Sequence, residues 1–99
     1  MMSDQLSGGW TAFRDLNDAD KSLFKSTVHL LGVAYTPLFV ATQVVSGTNY
    51  SFLTKGTVTT PEAPLKIVKI HIYKPLSGDA HITKIEEVLP QQRNNAITQ

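Results

Sequence analysis

The sequence predicts an α+β domain in which a single helix covers one face of an antiparallel β-sheet. Three observations carry that prediction. One stretch has the spacing of an amphipathic helix, several others are rich in strand-favouring residues with two-residue alternation, and turn residues fall where consecutive strands would be joined as hairpins. With 99 residues the chain is long enough for one hydrophobic core and too short for two. The domain is expected to span residues 1–89, followed by a polar, frayed tail over residues 90–99.

The helix is predicted over residues 17–32, about four turns. Ala19, Leu23, Phe24, Thr27, Val28, Leu30 and Leu31 follow helical spacing on one side. Asn17 or Asp18 can act as N-cap, and Asp18 and Asp20 stand near the positive end of the helix dipole. Gly32 supplies a stop and Pro37 forbids continuation.

Beyond Pro37 the period changes. LFVATQVVS reads as a strand, and past a bend Tyr50, Phe52 and Thr54 alternate against Ser51, Leu53 and Lys55, so a hairpin is predicted. Gly56 suggests a bulge in its second strand. A loop with Pro61 and Pro64 leads to LKIVKIHIY, where Val68, Ile70 and Ile72 share one face, Lys69 and His71 the other, before Pro75 ends the strand. HITKIEEVL is ambiguous, because Ile82, Ile85, Val88 and Leu89 suit a helix better than strict alternation. Its place directly after a Pro/Gly turn favours an antiparallel return strand with an irregularity. The stretch around Trp10 could add a short strand, with Trp10 and Phe13 as core aromatics anchoring it.

Composition narrows the function classes. Nine basic and eight acidic residues give a formal net charge of +1, without the basic footprint of a nucleic-acid binder. The absence of cysteine removes disulfides, thiolate metal sites and a thiol nucleophile. Neither a signal peptide nor an apolar run of about eighteen residues is visible, so a cytoplasmic location away from membranes is the default. His71 and His81 could face each other across the second hairpin, but two imidazoles without a third ligand make a poor metal site, and both read as surface residues. Asp15, Asp18 and Asp20 lack the glycine and terminal glutamate of a calcium loop. With no nucleophile motif or phosphate loop, the reading is of a binding protein, not an enzyme, with no cofactor and no metal.

The bend between the first two strands is unusual. Val44 and Val45 run directly up to Ser46 and Gly47, which sets branched apolar side chains close to solvent. Such a tip suits insertion into a partner's groove, with Gly47 allowing close backbone approach and Gln43 supplying hydrogen bonds at the base.

Gln43, Val44, Val45, Ser46 and Gly47 resemble the QxVxG pentapeptide of the cystatin superfamily, inhibitors of papain-like cysteine proteases. Asn49-Tyr50 continues it as in many stefins and cystatins. Leu6-Ser7-Gly8-Gly9 is similar to the family's N-terminal segment, with its glycine at Gly8. Pro75-Leu76 opens the second hairpin where secreted and plant cystatins usually carry Pro-Trp. The resemblance implies a bent antiparallel sheet of four to five strands wrapped around one helix, with three segments forming a wedge at one edge. It implies a reversible competitive inhibitor of cathepsin L- or papain-type proteases, in which Leu6, Ser7, Gly8, Gln43, Val44, Val45, Ser46, Gly47, Pro75 and Leu76 contact the enzyme. Leu76 departs from the family's tryptophan, a frequent interface hot spot. The missing cysteines exclude the disulfide-bearing secreted type and leave a stefin-like, plant-like or microbial variant. The alternative is a non-inhibitory protein-binding module of the same fold, or a monomer able to form a domain-swapped dimer by opening the first hairpin.

Overall fold

The computed structural model describes residues 9–29, 33–57 and 65–89. Helix α1 spans Asp18–Thr27. Its start is fixed by a capping box. The Asp20 backbone N–H donates to the Asn17 side chain at 2.8 Å, and the Asn17 N–H donates to the Asp20 carboxylate at 2.9 Å. Asn17, not Asp18, is therefore the cap.

The helix ends earlier than its periodicity suggests. Val28 is already extended, with φ −99° and ψ 105°, and its N–H closes the last turn on Phe24 O. The adjacent β-branched pair Thr27-Val28 disfavours another turn, and the Ser26 hydroxyl donates back to Leu23 O at 3.1 Å. Ten residues thus replace the four turns expected, and Gly32 is not the terminator. Leu30, Leu31 and Gly32 lie outside the described residues.

Four strands follow: β1 (Ala34–Val45), β2 (Gly47–Thr57), β3 (Lys66–Lys74) and β4 (His81–Leu89). They form one antiparallel sheet in the order β1-β2-β3-β4, so each strand pairs with its neighbour in sequence. The alternation in β2 and β3 is carried into space. Val40, Phe52, Thr54, Val68, Ile70 and Ile72 are buried on the face that receives α1. Phe24 of the helix meets Phe52 edge to face, with ring centroids 5.1 Å apart. Burying a side chain such as Phe52 or Ile70 contributes roughly 1.5–3 kcal/mol. Thr54 is tolerated there because its hydroxyl donates to Val68 O at 3.0 Å.

Three local expectations are corrected. β1 begins at Ala34, before Pro37, because a bulge between Pro37 and Phe39 leaves Leu38 without a ladder partner and accommodates the missing N–H. Gly56 is not a bulge: it pairs regularly with Tyr35 and Lys66, and it is glycine because a Cβ would lie 3.3 Å from both Tyr35 and Val33 side chains. The stretch around Trp10 forms two isolated bridges to β1, Trp10 with Gln43 and Arg14 with Val40, not a strand of its own.

The ambiguous last segment is a strand with irregularities. β4 shifts register between His71 and Ile72 and again between Ile67 and Val68 on its partner. Ile82 and Ile85 pair opposite Ile72 and Ile70, so the first bulge puts residues three apart on one face. That is the source of the helix-like spacing. The prolines at 61 and 64 and the tail over residues 90–99 lie outside the described residues. No helix among the described residues is long and apolar enough to cross a membrane.

Candidate functional site

The bend of the first hairpin is a single residue. Val45 pairs with Gly47, leaving Ser46 at the turn, and Gly47 adopts φ +103°, a conformation that glycine takes without steric cost. Space is equally restrictive. A Cβ on Gly47 would stand 2.5 Å from Lys74 O and 3.0 Å from Pro75 Cα. The Tyr73 hydroxyl donates to Ser46 O, so the end of β3 clamps the bend of the first hairpin. The bend therefore needs none of the Asn-Gly or Asp-Gly pairs that favour tight hairpin turns, because it is shaped from outside by β3 as well as by its own residues.

Behind the bend, Asn49 Nδ2 donates to Gln43 Oε1 at 2.8 Å across the β1–β2 pair, which fixes both side chains at the base of the tip. Val44 is 49% exposed and Val45 half-buried, so one branched side chain faces solvent and its neighbour is partly covered. Pro75 follows β3 directly, and Leu76 beyond it is 81% exposed. Gln43, Val44, Val45, Ser46, Gly47, Pro75 and Leu76 therefore gather at one end of the sheet. The described N-terminal stretch reaches the same end, because Trp10 bridges to Gln43 and the Thr11 N–H donates to Thr42 O at 2.8 Å. Leu6, Ser7 and Gly8 lie outside the described residues.

Trp10 and Phe13 are not core aromatics. They are 47% and 41% exposed and lie over the sheet face opposite α1, beside Ala41, Ser51, Lys69 and His71. The inner face is already filled by Phe24 and the β-strand aliphatics, so the aromatics of this edge segment pack on the outer side.

The N-terminal stretch is tied to the helix by charge. Arg14 donates to the Asp20 carboxylate at 2.6 Å, with the acid buried and the guanidinium partly exposed. Burial alone would raise the Asp20 carboxyl, but hydrogen bonds from Arg14 and the Asn17 backbone, with the Arg14 charge, hold it below the ordinary range. The hydrogen bond to Asp20 in turn raises Arg14. Asp20 thus serves both the helix cap and the anchorage of the segment that leads to the rim.

The two histidines of the second hairpin do not face each other. His71 pairs in register with Lys84 and contacts Glu86 at 3.2 Å, whereas the His81 ring meets Tyr73 edge to face. Among the described residues no group of three His, Asp or Glu side chains is placed to hold a metal ion.

Sequence reasoning missed Tyr73 as the clamp on the bend. Its only signal was an aromatic residue at the end of a strand, two positions before a proline. The chain matches no protein-family model, and no curated protein matches it.

Proposed function

We propose that this chain is a cystatin-like, reversible competitive inhibitor of papain-like cysteine proteases, acting in the cytoplasm as a binding protein without cofactor or turnover. The observation that carries the reading is the meeting of the QVVSG bend with Pro75 at one rim, where Gly47 packs against Lys74 and Pro75. That rim is narrow because its turn is one residue long, and apolar because Val44 and Leu76 are exposed on it. A preformed edge of this kind loses little conformational entropy on entering an active-site cleft, so a modest contact area can bind tightly. Without a peptide bond offered in cleavable geometry, it would occlude the catalytic cysteine and leave uncut. Gly8, lacking a Cβ, would let Leu6 and Ser7 run along the substrate subsites.

A second reading, a non-inhibitory protein-binding module or a domain-swapping dimer, is favoured by Leu76. Its exposed aliphatic side chain offers a smaller anchor than the tryptophan common in the resembling family. Titration of active papain or a cathepsin L-type enzyme separates the two. Inhibition at micromolar concentration is expected, weakened by Gly8→Glu and by Val45→Asp with the circular dichroism spectrum unchanged. Lack of inhibition by the folded protein would leave the non-inhibitory module, and a dimer on size-exclusion chromatography after mild heating would identify the swapped form.

A further inference from the structure

A groove of about 460 Å³ lies on the helix side of the molecule, between α1 and the start of β1. Sites for small ligands typically measure about 300–1,000 Å³. Phe24, Val28, Tyr35 and Pro37 give this one its apolar walls. Those walls are in place before any ligand arrives, because Phe24 belongs to the core, and Val28 and Tyr35 pack against it. Gly56 of β2 makes room for one of them: a Cβ there would stand 3.3 Å from the Tyr35 ring. The groove is also remote from the rim. Pro37 precedes Val45 by eight residues along β1, a span of about 25 Å.

The charges at its mouth specify what would fit. Lys21 and Lys25 both line the groove and stand four residues apart on α1, so they are neighbours on one side of the helix. Both are exposed, and their flexible stems let the ammonium groups turn over the opening. Like charges at this spacing repel. Neither ammonium forms an ion pair among the described residues: Asp20 is taken by Arg14, Asp18 makes no pair with Lys21, and the remaining pairs join Lys66 to Glu87 and His71 to Glu86. No acidic side chain among the described residues lines the groove. An apolar cleft thus opens under two cations that lack a counter-charge.

We propose that this groove binds an amphipathic carboxylate, with a medium-length alkyl chain against Phe24, Val28, Tyr35 and Pro37 and its acidic head between Lys21 and Lys25. A carboxylate has two oxygens, so it can accept from both ammonium groups at once and relieve their repulsion. Affinity comes mainly from burial of the chain, because ion pairs made by exposed lysines are weak. The head sets the direction in which the chain enters. Val44, Gly47 and Leu76 stay uncovered, so a ligand here does not compete with anything bound at the rim.

The probe is octanoate below its micelle concentration, with n-octanol as the uncharged control and hexanoate as the shorter acid. The full chain, isotope-labelled, is titrated by NMR, so that amide shifts report both occupancy and place. Saturable shifts are expected at Lys21, Lys25, Val28, Tyr35 and Thr36, and none at Trp10 on the outer face or Gly47 at the rim. Hexanoate should bind about tenfold more weakly, since it buries two fewer methylenes. Octanol, and octanoate with the Lys21→Gln/Lys25→Gln variant, should each lose about threefold. The variant should keep its thermal midpoint, because it removes only an exposed like-charge pair. No saturable shift, shifts spread equally to Trp10 and Gly47, octanol or hexanoate bound as tightly as octanoate, or full affinity in the variant would each overturn the proposal. The octanol and hexanoate comparisons need no mutation and so stand even where the variant fails to fold. None of these readouts involves a protease, so the outcome is independent of the inhibitory reading.

Discussion

The two hairpin ends at the rim are built on opposite principles. The first is a one-residue bend with its glycine at φ +103°, clamped by a tyrosine hydroxyl and pressed against the backbone of β3. The second, after Pro75, is a longer turn through Gly78 at φ +121°, and its apolar residue Leu76 is almost wholly in solvent. One tip is held in shape by its neighbours, and the other presents a side chain that nothing holds. Shape at this rim is therefore concentrated at Gly47, whereas Leu76 contributes surface alone. A partner would find the first end preorganised and would have to order the second on binding.

The sharpest break of that contrast is Gly47→Ala. Its Cβ would meet Lys74 O at 2.5 Å, and the positive φ disfavours any L side chain, so a loss of about 2–4 kcal/mol in urea unfolding is expected, together with loss of protease inhibition. A perturbation at the helix cap gives the next effect and marks what general destabilisation looks like. Asp20→Ala removes the capping-box acid and the Arg14 partner, and should cost about 1–3 kcal/mol while the rim stays intact.

The same carboxylate sets a pH dependence. Because its folded-state value is held below the ordinary one, its stabilising contribution is complete above about pH 4 and is lost as pH falls through the folded value. Thermal midpoints measured between about pH 6 and about pH 3 should decline in the wild type, and less so in Asp20→Asn. Tyr73→Phe tests the clamp alone: a loss of about 1 kcal/mol by denaturant, with weaker inhibition than its stability change would explain, is expected. Smallest in stability is Leu76→Ala, within about 0.5 kcal/mol. Its effect should be confined to binding, and Leu76→Trp should strengthen inhibition by the same logic.

Much of this arrangement was legible in the chain. The α+β class, the helix and the first three strands follow from periodicity, the fourth strand from its place after a Pro/Gly turn, and the inward face of β3 from Val68, Ile70 and Ile72 alone. What was hidden depends on contacts between distant residues. The helix stops at Thr27 through local chemistry that competes with a longer apolar pattern, and Gly32, the obvious terminator, plays no part in its end. Gly56 looked like a bulge because glycine in a strand usually marks one, but the packing of Tyr35 explains it better. The hydrophobicity of Trp10 and Phe13 points to the core but carries no information about which face of the sheet an edge segment meets, and both lie exposed on the outer face. For the rim, the sequence named Gln43 to Gly47 and Pro75-Leu76, and only the fold places them together with Tyr73 as the link.

The two bulges of β4 have an effect on how copies of this chain treat one another. β4 is the outermost strand, and between its register shifts only residues 84–87 keep a regular ladder with β3. An incoming strand would find too short a straight template to add itself, whereas the opposite margin is bridged at Gln43 and Val40 by Trp10 and Arg14. Strand addition is thereby discouraged along β4 and at the Val40 to Gln43 part of β1, the end of the sheet where the apolar rim is exposed.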